Sequence, residues 1–215
     1  MVANNRLKTG WETFFKSASV LYMLSAFPLA LIMGLLMVFV AMPNILRDKD
    51  IGLMVLCALF WLGVLLPIAI IVFRTLRRRR QLRKIVTTLR HPQYFCPESH
   101  LEMFHEGEGK YLGIDVTHGT ILYVHRIRQG TVDIVALTSK DWTNLEVQGK
   151  KLRINTRLVD LPRIEFATPW AERWYDTLGA MQYKEYSTPF PFTEFVESYT
   201  QQIERSNSVN VLSVA

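Results

Sequence analysis

Residues 17–46, SASVLYMLSAFPLALIMGLLMVFVAMPNIL, and residues 51–73, IGLMVLCALFWLGVLLPIAIIVF, hold no charged side chain, and Arg47, Asp48, Lys49 and Asp50 stand between them. A hydrocarbon layer about 30 Å thick needs roughly 20 helical residues to cross it, and a helix satisfies its own backbone hydrogen bonds there. Both runs are long enough. They predict two transmembrane helices, near 18–42 and 51–74, joined as a hairpin by a short loop over 43–50. A cleavable signal peptide would have a shorter apolar region, about 7–15 residues, with no second spanning run behind it.

The remainder of the chain is different in kind. Of 215 residues, 49% are hydrophobic and 20% charged, with a net charge of +6. The apolar excess therefore sits in residues 17–73, and about 125 residues after it read as a soluble domain. The fold class expected is an α+β membrane protein. Its parts are a transmembrane hairpin with a basic juxtamembrane helix (1–90), a cytoplasmic α+β domain (91–205) and a mobile tail (206–215).

Charge sets the expected orientation. Arg6, Lys8 and Lys16 precede the first run, and Arg74, Arg77, Arg78, Arg79, Arg80, Arg83, Lys84 and Arg90 follow the second, while the connecting loop nets to zero. Cations flanking membrane helices favour the cytoplasmic side, which puts both termini there. Trp11, Phe14, Phe15 and Tyr22 fall near one boundary, where aromatic rings favour the interface. The cluster Arg74, Arg77, Arg78, Arg79, Arg80, Arg83 and Lys84 is expected at the membrane surface, where each cation near anionic lipid contributes about 1 kcal/mol. Direct nucleic-acid binding is disfavoured because the run has no interleaved aromatics.

Ala26, Ala30 and Gly34 recur every four residues and would let another helix approach closely, either the second helix of the same chain or one from a homo-oligomer. Pro28 and Pro67 can kink the helices. No ionisable residue lies near mid-membrane, which argues against transport or proton relay. The two cysteines, Cys57 and Cys96, are too few for a disulfide framework and read as reduced or buried thiols.

Past His91-Pro92 and Cys96-Pro97 the pattern becomes short strands separated by turn signals at Glu106-Gly107-Glu108-Gly109, His118-Gly119, Gln129-Gly130 and Gln148-Gly149. Strands are expected at 111–116, 120–128, 131–137, 145–147, 151–156 and 163–168, forming an antiparallel meander. Along 121–128, Ile121, Tyr123, His125 and Ile127 alternate with Leu122, Val124, Arg126 and Arg128, so one face starts apolar and becomes mixed. After Pro169 the period lengthens: Trp170, Trp174, Leu178 and Met181 share a helical face. Their spacing makes them a core stripe rather than a ligand-binding aromatic patch. A second helix is expected at 192–205 with Phe192, Phe195, Val196, Tyr199 and Ile203 inward. A meander closed by an aromatic helix resembles the pleckstrin-homology-like architecture over residues 103–182, which by itself gives no function.

The sequence offers no catalytic residue, cofactor site or metal site. Gly107-Glu108-Gly109-Lys110 lacks the spacing and the Ser or Thr of a phosphate loop, and its glutamates repel phosphate. His100, Glu102 and His105 do not form the His-Glu-x-x-His zinc arrangement and have no evident third ligand. His118 reads as a turn residue, His125 as a strand residue, and Ser139 with Asp141 has no nucleophile elbow. The chain is expected not to be an enzyme.

Gly10-Trp11-Glu12-Thr13-Phe14-Phe15-Lys16 ahead of the hairpin, and Gly113-Ile114-Asp115-Val116-Thr117-His118-Gly119-Thr120 within the domain, resemble the entry-exclusion proteins of I-type conjugative plasmids, the ExcA family. The resemblance extends to size and layout over most of the chain and carries no position-by-position recognition motif. It implies an inner-membrane protein that stops a plasmid-bearing cell from receiving another copy. The implied partner is a polytopic membrane component of the donor's type IV secretion apparatus. With only about eight residues between the helices, recognition is expected on the cytoplasmic domain. The alternative is a membrane-anchored scaffold or lipid sensor.

Overall fold

Pro28 shapes the first long helix. Proline removes a backbone donor and crowds the preceding turn. In the computed structural model, which describes residues 10–48, 51–128, 130–159 and 161–214, that preceding turn is a π-helix, Tyr22–Ala26, between α1 (Gly10–Leu21) and α2 (Phe27–Asp48). The wider turn accommodates the lost bond. Ser25 Oγ donates to Leu21 O there at 2.7 Å. Helix α2 continues through Pro43 to Asp48, so most of the loop expected at 43–50 is helical.

Helix α3 (Ile51–Leu89) runs for 39 residues through Pro67. The apolar stretches, Ser17–Val40 and the first part of α3, are long enough to cross a membrane; 24 residues make about 36 Å of helix. Only 6% of each apolar window is buried inside the protein, so neither is the core helix of a soluble domain. Leu24, Leu29, Phe39, Leu59 and Phe73 all face outward. The helices touch where Tyr22 Oη donates to Val64 O at 3.2 Å and where Gly34 lies against Phe60 and Trp61.

The chain divides into two units between Leu76 and Arg77, inside α3, rather than at residue 90 as expected. The reason is visible in the spacing of Leu82, Ile85, Val86 and Leu89. They form one helical face, and it is buried in the core of the second unit.

That core lies against a five-stranded sheet in the order β1 (Glu102–His105), β2 (Lys110–Asp115), β3 (Thr120–Arg128), β4 (Thr131–Thr138) and β8 (Asn210–Val214). The first four pair antiparallel, with Tyr111 opposite Val124 and Tyr123 opposite Val135. A second, antiparallel sheet holds β5 (Trp142–Gln148), β6 (Lys151–Thr156) and β7 (Arg163–Ala167). Among the described residues no strand pairing joins the two sheets. The turns fall where glycine was expected to place them, with Gly109, Gly119, Gly130 and Gly149 all at positive φ.

Strand β3 is buried on both faces. Leu122 and Val124 join Tyr111, Ile134, the end of α3 and α5 (Phe192–Asn207) in one core. Ile121 and Tyr123 join Leu112, Ile114, Val135, the second sheet and α4 (Ala171–Met181) in another. The one-faced strand expected from alternation is thus replaced by a strand between two layers, which accounts for the unbroken apolar run 121–124. In α4 the inward stripe is Ala171, Trp174, Leu178 and Met181, while Trp170 precedes the helix and is exposed. Trp174 Nε1 donates to His100 O at 3.1 Å, so the buried indole keeps its hydrogen bond. Phe195 of α5 stacks on Tyr94 with centroids 4.3 Å apart, and Phe192 on Phe95 at 5.7 Å. Each such aromatic burial contributes roughly 1.5–3 kcal/mol.

The tail corrects an expectation. The sequence suggests a mobile tail from Ser206, but α5 extends to Asn207, Ser208 turns through a left-handed cap at φ 51°, and β8 pairs parallel to β4 with Thr131 opposite Asn210. Val209 and Val211 are buried. The alternation of Val209 and Val211 was the available signal.

Candidate functional site

The basic run of α3 is not one uniform cationic face. Arg79 and Arg83 both pair with Glu106 in the turn after β1, Arg83 at 3.0 Å. Lys84 Nζ donates to Ser206 O at 3.0 Å. Further along, Arg90 pairs with Glu102, which also accepts from Tyr111 Oη at 2.8 Å. The hydrogen bond to Glu102 holds the Arg90 guanidinium above its usual value, and burial, then Glu102, pushes the Tyr111 phenol far up. These residues tie the helix to the sheet. By contrast, Arg74, Arg77, Arg78 and Arg80 are exposed and have no hydrogen bond or ion pair among the described residues. The cluster read from the sequence as one membrane-surface feature is therefore two: a structural set and a free set.

Arg126, on β3, is hydrogen-bonded but not ion-paired among the described residues. Its Nη1 donates to Gln81 Oε1 at 2.8 Å, and its Nε reaches Arg128 O at 3.5 Å. Burial, followed by Arg78 and Arg77, holds its guanidinium below the usual arginine value. The sequence reading placed Arg126 merely on the mixed end of a strand face; two arginines ending an apolar face were the signal.

The 113–120 stretch, which carries the family resemblance, is a β-hairpin built around a buried carboxylate. Asp115 is 1% exposed. Its Oδ2 accepts from Cys96 N at 2.7 Å and meets His118 Nδ1 at 2.7 Å, and its Oδ1 accepts from Thr117 N at 2.8 Å and His118 N at 3.2 Å. Burial alone would raise this carboxyl, but the donors from Cys96, His118 and Thr117 outweigh it and hold it below the usual carboxylate range. Gly113 admits Tyr111 and Phe95: a Cβ there would stand 2.4 Å from Tyr111 Oη. These residues build the turn, and His118 is the turn residue expected.

The largest aromatic exposure outside the apolar helices is near α4 and in the connection from α4 to α5. Tyr183 is 92% exposed and Phe190 63%, with Trp170 and Tyr175 also exposed. Such residues are over-represented at protein interfaces. Trp170, expected on the core stripe, lies outside it, as does Tyr175. Tyr183 and Phe190 were missed, although Tyr-Lys-Glu-Tyr-Ser-Thr-Pro-Phe-Pro over 183–191 joins aromatics to prolines that discourage helix.

The side chains weighed for chemistry are dispersed. Lys110 pairs with Glu108 at 2.7 Å across the Gly107–Gly109 turn. His100 lies 3.3 Å from Glu98, and His105 packs edge-on against Phe166. Asp141 accepts from Thr138 N and Oγ1 in a turn. Among the described residues no three His, Cys, Asp or Glu side chains gather as a metal site would require. Cys57 is half-buried and Cys96 exposed, both free. Of Ala26, Ala30 and Gly34, the structure gives Gly34 a close partner, and that partner is in the same chain: a Cβ on Gly34 would stand 2.9 Å from Phe60.

The two units thus define an α+β protein with two helices long and apolar enough to cross a membrane and a sheet-based unit with exposed aromatic residues. A family model described as Exclusion-determining protein matches residues 2–215, and the chain belongs to that family. Entry exclusion is the function this membership supports. No curated protein and no solved structure matches the chain.

Proposed function

We propose that the chain works in the recipient cell as an inner-membrane exclusion protein, blocking redundant conjugative DNA transfer by binding a membrane component of the donor's type IV secretion apparatus. The observation that carries this reading is the extent of the family match, which spans both the apolar helices and the sheet unit. We place it with the I-type ExcA proteins on the 10–16 and 113–120 stretches. The outward apolar surface of both helices supports a membrane anchor, and the cations outside the apolar runs support cytoplasmic termini.

Recognition belongs on the soluble unit. Helix α2 ends at Asp48 and α3 begins at Ile51, leaving little chain between them to meet a partner. Tyr183, Phe190, Trp170 and Tyr175 offer the aromatic anchors an interface needs. The two sheets with α4 packed on their shared core support a pleckstrin-homology-like reading of this unit. The test is conjugation into recipients expressing the protein, from donors carrying a matching I-type plasmid or an unrelated one. A fall in transfer confined to the matching plasmid supports the proposal. Normal transfer of both, with the protein present in the membrane, overturns it and favours a scaffold or lipid sensor.

A further inference from the structure

Among the described residues, the hydrogen-bond partners of Arg126 are neutral. Its guanidinium is half-buried and meets Gln81 Oε1 and Arg128 O, with no carboxylate among the described residues. Gln81 is itself held, its Nε2 reaching Asn207 O at 3.4 Å. Arg77 and Arg78 precede Gln81 by four and three residues, so they share its helical face and bring two further guanidiniums toward Arg126. Their effect is felt, since burial and then these two arginines lower the Arg126 value.

The same helix shows the contrasting arrangement. Where Arg79 and Arg83 meet the sheet unit, Glu106 neutralises them. At Arg126 the described residues supply dipoles but no anion, although a partly buried charge is stabilised best by an opposite charge with good hydrogen-bond geometry. Arg77 lies four residues beyond Phe73, the last apolar residue of the second run, about 6 Å along the helix. That depth is where lipid phosphates lie when the run spans a bilayer.

We propose that Arg126, Arg77 and Arg78 form a site for the phosphate of an anionic phospholipid headgroup, with Gln81 positioning the Arg126 guanidinium. The ligand is a phosphate oxyanion, and its source is the bilayer. This inference rests on the membrane placement proposed above but not on exclusion itself; resistance of the protein to alkaline carbonate extraction tests that placement separately.

The experiment uses the full chain in nanodiscs of phosphatidylcholine with increasing phosphatidylglycerol, reading the thermal unfolding midpoint and the number of anionic lipids retained on extraction into mild detergent. The wild type should be stabilised by phosphatidylglycerol. Arg126→Gln should weaken that response about tenfold in lipid concentration, the loss of one charge-assisted bond, with smaller losses for Arg77→Gln and Arg78→Gln. In pure phosphatidylcholine Arg126→Gln should unfold no earlier than the wild type, because it relieves repulsion. Arg80→Gln removes the same charge one residue from Gln81 and should weaken the response far less than Arg126→Gln. An equal loss in Arg80→Gln would mean a diffuse charge effect and overturn the site. So would an unaltered response in Arg126→Gln, a lower midpoint for it in phosphatidylcholine, or full stabilisation by inorganic phosphate alone.

Discussion

The ring of Tyr186 lies against Gly119 so closely that a Cβ on the glycine would stand 2.3 Å from Tyr186 Cγ. This contact fastens the connection between α4 and α5 to the β2–β3 turn, and Tyr183 and Phe190 are exposed on either side of the fastened point. Gly119 also has φ +69°, so any side chain there is strained twice. Gly119→Ala should destabilise the protein by about 2–3 kcal/mol, read as a lower thermal midpoint in detergent. An unchanged midpoint would show that the contact is not held in solution.

Exposed aromatics away from a core contribute little to folding but can anchor a partner. Tyr183→Ala and Phe190→Ala should therefore leave the unfolding midpoint within experimental error and reduce exclusion of the matching plasmid in recipient cells. Full exclusion by the double variant at normal membrane abundance would remove these residues from the recognition surface.

Asp115 predicts an acid limb. Its folded carboxyl lies below the usual carboxylate range, so on acidification the unfolded chain takes up its proton first. The stability Asp115 contributes is present above the ordinary aspartate value of about 3.9 and is lost as pH falls through the depressed folded value. Asp115→Asn should cost about 2 kcal/mol near neutrality and flatten the fall in midpoint toward acid pH. A variant with the wild-type acid limb would assign it to other groups.

Gly34 offers a test of what the small residues in α2 do. A Cβ there meets Phe60 at 2.9 Å and Trp61 at 3.0 Å, so Gly34→Val should destabilise the anchor by about 1–3 kcal/mol and leave the oligomeric mass in detergent unchanged. A shift in mass would instead place Gly34 at an interface between copies.

The parts legible in the sequence were those with a strong period. Two long charge-free runs, Gly at each hairpin turn and the 174–178–181 stripe of α4 each specify an element locally. Strand β8 was missed because five residues with one described buried valine, Val211, carry little pattern until β4 offers an edge to pair with. The domain boundary was displaced for a related reason. Arg77, Arg78, Arg79, Arg80, Arg83 and Lys84 dominate the reading of 77–90, whereas the apolar face of Leu82, Ile85, Val86 and Leu89 decides where that helix packs. The division of the arginines into paired and free sets depends on Glu106 and Glu102, which lie far along the chain and show no local signal of their role.

The central claim is that the soluble unit carries partner recognition. It is tested most directly by exchanging residues 77–215 between two exclusion proteins of different plasmid specificity, with the junction inside α3 so that the Leu82–Leu89 face stays with its own sheet. Transfer frequency into recipients should then follow the source of residues 77–215, each chimera excluding the plasmid matched to that part. Specificity that stays with the apolar helices, in chimeras present at normal abundance in the membrane, would contradict the account.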